Sequence, residues 1–127
     1  MKNVLIVDDE TDVEFLFMQK FRKEIKEGIV KFNFAFSADQ ALEFLKNMPA
    51  TDIILVLSDI NMPGRSGIEL LKILKSDFPH LKVFMVSAYN DDEHRSMAER
   101  SGADDFISKP VDFNELKSRV MSAIGLN

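Results

Sequence analysis

Apolar and polar positions along this chain follow two alternating rhythms. Short runs of branched and aromatic residues have the length and composition of β-strands: Val4 to Val7, Phe32 to Phe36, Ile53 to Leu57, Val83 to Val86 and the pair Phe106-Ile107. Between them the spacing is helical. Ala38, Ala41, Leu42 and Leu45 fall on one stripe, as do Phe113, Leu116, Val120 and Ile124. Each intervening stretch also carries a start signal. Thr11 before Glu14, Ser37 before Gln40 and Ser66 before Glu69 have capping-box spacing. Asn90 before Glu93 and Asp112 before Glu115 offer the same geometry with Asx caps. The pattern predicts β-α repeated five times, hence an α/β chain with parallel strands, right-handed crossovers and helices on both faces of the sheet.

Strand composition also suggests the order of the sheet. Residues 4–7 and 53–57 are apolar on both faces and should be central. The second strand sets Phe32, Phe34 and Phe36 against Lys31, Asn33 and Ala35, which suits an edge with one wet side, and the fifth is short. An order of 2-1-3-4-5 satisfies both, with a topological switch point between strands 1 and 3. The fourth helix, from Asn90 to about Arg100, begins with a run from Asp91 to Ser96 that has no apolar residue, so it has little to bury. On the first helix Phe15 and Phe17 point about 200° apart. Both cannot face one core, and packing over the segment from Glu24 to Lys31 is the favoured role for the second ring, ahead of a partner surface.

Composition narrows the classes. The 127 residues suit one ordinary domain, read as residues 1–127, with 46% hydrophobic and 29% charged residues in a globular balance. There is no cysteine, so disulfides and thiolate metal sites are excluded. No apolar run approaches the roughly 20 residues a membrane span needs. Met1-Lys2-Asn3 leads straight into a strand-like segment, leaving no room for a signal peptide. A net charge of −5 argues against holding nucleic acid through its phosphates. The expected protein is soluble and cytoplasmic, with no direct nucleic-acid binding and no membrane association.

In an open α/β sheet, ligands bind outside the carboxyl ends of the strands beside the switch point. The residues there are Asp8-Asp9 after strand 1, Ser58-Asp59 at the end of strand 3, Ser87 on strand 4, and Ser108 leading to Lys109-Pro110 on strand 5. Three carboxylates this close repel, so at least one should have a raised pKa unless a cation intervenes. Mg²⁺ suits a few carboxylates, a carbonyl and several waters. With it, Asp59 could remain an ionised nucleophile toward phosphorus, while Lys109 supplies a positive charge and Ser87 a hydroxyl donor. Phosphoryl transfer demands mainly positioning and charge neutralisation, and this set offers both.

Val-Asp-Asp-Glu at 7–10, Ser-Asp-Ile-Asn-Met-Pro-Gly at 58–64 with Gly67, Ser-Ala at 87–88 and Lys-Pro at 109–110 stand in order on these strand ends. Singly each is weak; together they are specific. Over essentially its whole length the chain resembles the receiver domain of two-component response regulators, of the chemotaxis-regulator type. The resemblance implies a flavodoxin-like (βα)5 three-layer sandwich with the sheet order 2-1-3-4-5. It implies that Asp59 is the phosphoacceptor, that Asp9 and Asp59 bind Mg²⁺ (or Mn²⁺) directly with the backbone carbonyl of Asn61, and that Asp8 acts through water. Lys109 would pair with Asp59 and then with the phosphoryl group, and the Lys109-Pro110 bond is a candidate cis peptide. Ser87 and Phe106 occupy the positions of the hydroxyl and aromatic that carry the conformational signal. Serine keeps the hydroxyl of the commoner threonine without its methyl, and phenylalanine lacks the hydroxyl of the commoner tyrosine. Asn61 and Tyr89 would tune the lifetime of the phosphoryl group. The output surface would lie around the fourth helix, the fifth strand and the fifth helix.

The implied partners are a histidine kinase or phosphotransfer protein as donor, and a downstream effector or fused output domain. Phosphorylation and dephosphorylation of Asp59 would be self-catalysed, with no separate substrate. Three rivals fit less well. A phosphohydrolase with an aspartyl-phosphate intermediate would place a carboxylate where Asn61 stands, and would need a cap. A flavin module would not make its phosphate cradle from Asp8-Asp9-Glu10-Thr11. A receiver-like domain acting only through protein contacts would usually have lost one of these acidic residues or the lysine. Neither His80 nor His94 has the partners of a metal site, and His94 is expected to be exposed.

Overall fold

A computed structural model describes residues 2–48, 53–62, 64–88 and 92–125. The strands are β1 (Lys2–Val7), β2 (Val30–Ala35), β3 (Ile53–Asp59), β4 (Lys82–Ser87) and β5 (Asp105–Ser108). The helices are α1 (Asp12–Lys20), α2 (Arg22–Lys26), α3 (Ala38–Lys46), α4 (Gly67–Asp77), α5 (Asp92–Arg100) and α6 (Phe113–Ala123). All strand pairs are parallel and their order is β2-β1-β3-β4-β5, as the strand composition suggests.

Alternation along the central strands feeds two cores. Leu5 and Val7 face a layer built with Ala41, Leu45, Leu71 and Leu74 from α3 and α4. Val4 and Ile6 face the opposite layer, with Phe21, Phe32, Leu116 and Val120. A residue-by-residue change of face is what the pleat imposes, and a helix layer on each side is what an all-parallel sheet requires.

Several local readings are corrected. The first helical stretch is two helices, because Phe21 leaves helical geometry at φ −106° and ψ 18°. Phe21 is fully buried, stacked on Phe17 at 5.7 Å and edge-on to Phe32 at 4.8 Å, so ring packing sets the break. Thr11 does not cap α1; it is helical at φ −65° and ψ −24°, with no side-chain cap bond. Ser37, Ser66 and Asp112 do cap their helices, accepting from Gln40, Glu69 and both Asn114 and Glu115. The cap expected from Asn90 lies outside the described residues.

Strand β2 is an edge, but its second face is not wet throughout. Ala35 is buried under α3 while Phe32 is buried on the other side. Packing also separates the two phenylalanines of α1. Phe17 is 6% exposed within a ring cluster that includes Phe113, whereas Phe15 is 67% exposed. His94 is half-buried rather than exposed.

Candidate functional site

Among the described residues, the buried polar and charged side chains are Asp8, Ser58, Asp59 and Ser87, all at the carboxyl ends of β1, β3 and β4. Buried polar groups need partners, and carboxylates are rarely buried without one. Here the partner is Lys109, placed by β5. Its backbone N–H donates to the Ser87 carbonyl at 2.8 Å, continuing the β4–β5 ladder by one rung. The next peptide bond, Lys109-Pro110, is cis.

The Lys109 ammonium donates to Asp59 Oδ2 at 3.0 Å, and lies 3.6 Å from Asp8 Oδ2 and 3.9 Å from Glu10 Oε1. Its pKa is raised. Burial alone would lower it, but the hydrogen bond and charge of Asp59, followed by Asp8 and Glu10, outweigh burial. Asp8 is also pushed above the ordinary carboxylate range. Burial is the main cause, with repulsion from Asp59 and Glu10 adding; the Glu10 N–H and Lys109 oppose it.

Backbone groups hold these carboxylates in place. Asp8 Oδ1 accepts from the Glu10 N–H at 2.9 Å, and Asp59 Oδ1 accepts from the Asn61 N–H at 3.2 Å. The Asp8 N–H is fixed to the Ala35 carbonyl at 3.1 Å and the Ile60 N–H to that of Val86 at 3.1 Å, so both loops leave the sheet in a set direction. Gly67 packs its backbone against Asp59, its N–H donating to the Ile60 carbonyl at 2.9 Å.

The structure therefore brings together Asp8, Asp59 and Lys109, with the fully buried Ser87 at the adjoining strand end. It adds Glu10, whose carboxylate is within 4.8 Å of those of Asp8 and Asp59. Asp9 is exposed and is not one of these three. The sequence offers Glu10 only as the last residue of the Val-Asp-Asp-Glu motif; the signal for it is its place directly after two aspartates at the end of a central strand. Asn61 is exposed, and its backbone N–H donates to Asp59 Oδ1. Phe106 is buried on β5, beside α5. Tyr89 lies outside the described residues.

Three acidic groups about one ammonium leave an excess of negative charge, which suits a hard cation with oxygen ligands. Beside the rim a mostly apolar cleft of ≈ 230 Å³ opens between α1 and the start of α6, lined in part by Val13, Leu16, Pro110 and Phe113. None of the helices described is long and apolar enough to cross a membrane.

Comparison with known proteins agrees with this geometry. Residues 4–121 match the response regulator receiver domain. The chain is 35% identical over 121 residues to a cyclic di-GMP phosphodiesterase of Thermotoga maritima, covering 95% of this chain but 30% of the relative. It is 33% identical over 127 residues to the response regulator protein PilR of Pseudomonas aeruginosa, covering 98% of this chain and 26% of the relative. A solved receiver domain protein of Methanospirillum hungatei superposes with a TM-score of 0.85 at 29% identity, covering 98% of this chain and 94% of that one. The chain thus spans about a quarter to a third of these two curated relatives and nearly all of that solved chain. Since the family match takes in every rim residue described above, the chain belongs to the response regulator receiver domains, which serve two-component signalling rather than acting as enzymes.

Proposed function

We propose that Asp59 accepts a phosphoryl group from a phosphohistidine of a histidine kinase or phosphotransfer protein. The observation that carries this reading is the 3.0 Å contact between the Lys109 ammonium and Asp59 Oδ2 at a buried strand end. One Asp59 oxygen attacks phosphorus as the phosphorus–nitrogen bond to the donor imidazole breaks. Lys109 shifts from the free carboxylate to an oxygen of the transferred group, and the Ser87 hydroxyl donates to another. The backbone N–H of Asn61 holds the second Asp59 oxygen, which fixes the attacking one.

A divalent cation, Mg²⁺ or Mn²⁺, fits the donor set. Asp8, Asp9, Asp59 and the Asn61 carbonyl would hold it, and Glu10 lies close enough to join them. When bound, such an ion would supply positive charge to offset the carboxylates and the incoming phosphoryl oxygens. The family resemblance implies that Asn61 and Tyr89 would tune how fast water later releases phosphate. Residues 1–127 act as one cytoplasmic domain whose signal passes through α5, β5 and α6 to an effector or a fused output domain.

The test is incubation with acetyl phosphate, with and without Mg²⁺, followed by intact mass and site mapping. One phosphoryl group should appear on Asp59, only with the metal, and none on Asp59→Asn. Stable modification elsewhere, or none under any condition, removes this reading.

A further inference from the structure

Helix α5 has little to bury: only Ala98 is fully covered, with Met97 half-buried against the core. A helix this poor in apolar surface needs another fastening, since short helices draw most of their stability from tertiary packing. One is present. The guanidinium carbon of Arg95 lies 5.2 Å from the centre of the Phe106 ring, inside cation–π range. Phe106 is buried, in register with Met85 of β4, and two residues further Ser108 stands opposite Ser87. Among the described residues Arg95 also approaches Glu99, one turn along at 3.8 Å, beyond hydrogen-bond range. Both of these side chains are half-exposed or more, at 50% and 66%, so that pair is worth little.

We propose that Arg95 is a clasp that seats α5 on β5 by holding the face of the Phe106 ring. A phenylalanine offers no hydroxyl, so whatever senses its position must bind the ring itself. Arginine suits that task because its planar, weakly hydrated guanidinium stacks on aromatic faces better than an ammonium does. A cleft of ≈ 210 Å³ adjoins the ring, bounded by Ile107, Ser108, Pro110 and Leu116. Movement of the ring away from Arg95 withdraws the surface the clasp grips, so the ring position and the seat of α5 form a single unit. The clasp is a property of the resting protein and does not depend on phosphotransfer.

Amide exchange of the unphosphorylated protein tests it. Arg95→Met, which keeps the apolar stem, should speed exchange across α5 by about two- to five-fold and leave α6 unchanged. Arg95→Lys should fall between the two. Glu99→Gln should match the wild type. Phe106→Leu should also loosen α5, and adding Arg95→Met to it should change nothing more, because no ring is left to hold. The clasp is refuted if Arg95→Met exchanges like the wild type, if Glu99→Gln loosens α5 as much, or if the Arg95 and Phe106 effects multiply. Should Phe106→Leu not fold, an Arg95→Lys protein indistinguishable from the wild type would equally overturn it.

Discussion

Gly67 lies against Asp59 so closely that a Cβ at position 67 would sit 2.1 Å from the Asp59 carbonyl oxygen and 2.7 Å from Ile60 Cα. Both are backbone atoms, so no side chain can swing aside. Gly67→Ala must therefore push the first turn of α4 away from the acceptor strand. We expect a loss of about 1–3 kcal/mol in urea unfolding. Acetyl phosphate labelling should fall as well, because Asp59 moves with its backbone. A protein of unchanged stability would mean that α4 does not pack as described.

The raised pKa of Asp8 makes a signed prediction. Burial is its main cause, and a raised value means the folded state binds the proton more tightly than the unfolded state. The ionised form therefore opposes folding, and stability drops as pH climbs from the ordinary carboxyl value of 3.8 through the folded-state value. In metal-free buffer Asp8→Asn should be more stable than the wild type at neutral pH. The advantage should fade at acid pH, where Asp8 is neutral in both states. Unfolding curves at a series of pH values check this, and equal stability at neutral pH would contradict it.

The two phenylalanines of α1 should behave oppositely. Phe17 is enclosed by Phe21, Phe32 and Phe113, so Phe17→Ala should cost about 3–5 kcal/mol. Phe15 is 67% exposed, and Phe15→Ser should stay within about 0.5 kcal/mol of the wild type. Paired chemical denaturation separates the two cases; a large cost at Phe15 would show that its ring is covered.

A beryllofluoride adduct, which mimics the phosphoryl group, should alter amide exchange most in residues 87–106. That stretch joins the Ser87 strand end to Phe106 through α5, the helix with little apolar surface. Exchange that changes chiefly in α2 or α3 would place the signal elsewhere.

Tyr89 is expected to shield the phosphorylated site from water by its bulk. Tyr89→Ala should shorten the lifetime of phosphorylated Asp59 severalfold, followed by loss of the phosphoryl mass after the donor is removed. An unchanged lifetime would rule out the shielding role.

Local chemistry made much of this protein legible from its residues alone. The five strands and their order follow from short runs that are apolar on one face or both. Caps at Ser37, Ser66 and Asp112 need only a side chain and an N–H two or three residues away. The candidate rim was visible because parallel crossovers leave every strand pointing the same way, so the residues at their ends share one edge. What remained depended on groups distant in sequence. Phe21 breaks the first helix because rings from α1 and β2 must pack, and Ala35 is buried because α3 covers it. Which acidic side chains of the β1 loop come near Lys109 was also decided in three dimensions. With Asp8 tied to Ala35 and accepting from the Glu10 N–H, the Glu10 carboxylate comes within 3.9 Å of the Lys109 ammonium, although Glu10, like Asp9, stays exposed. Periodicity can place a residue on an element, but the direction of a loop side chain is set by the neighbours that folding brings to it.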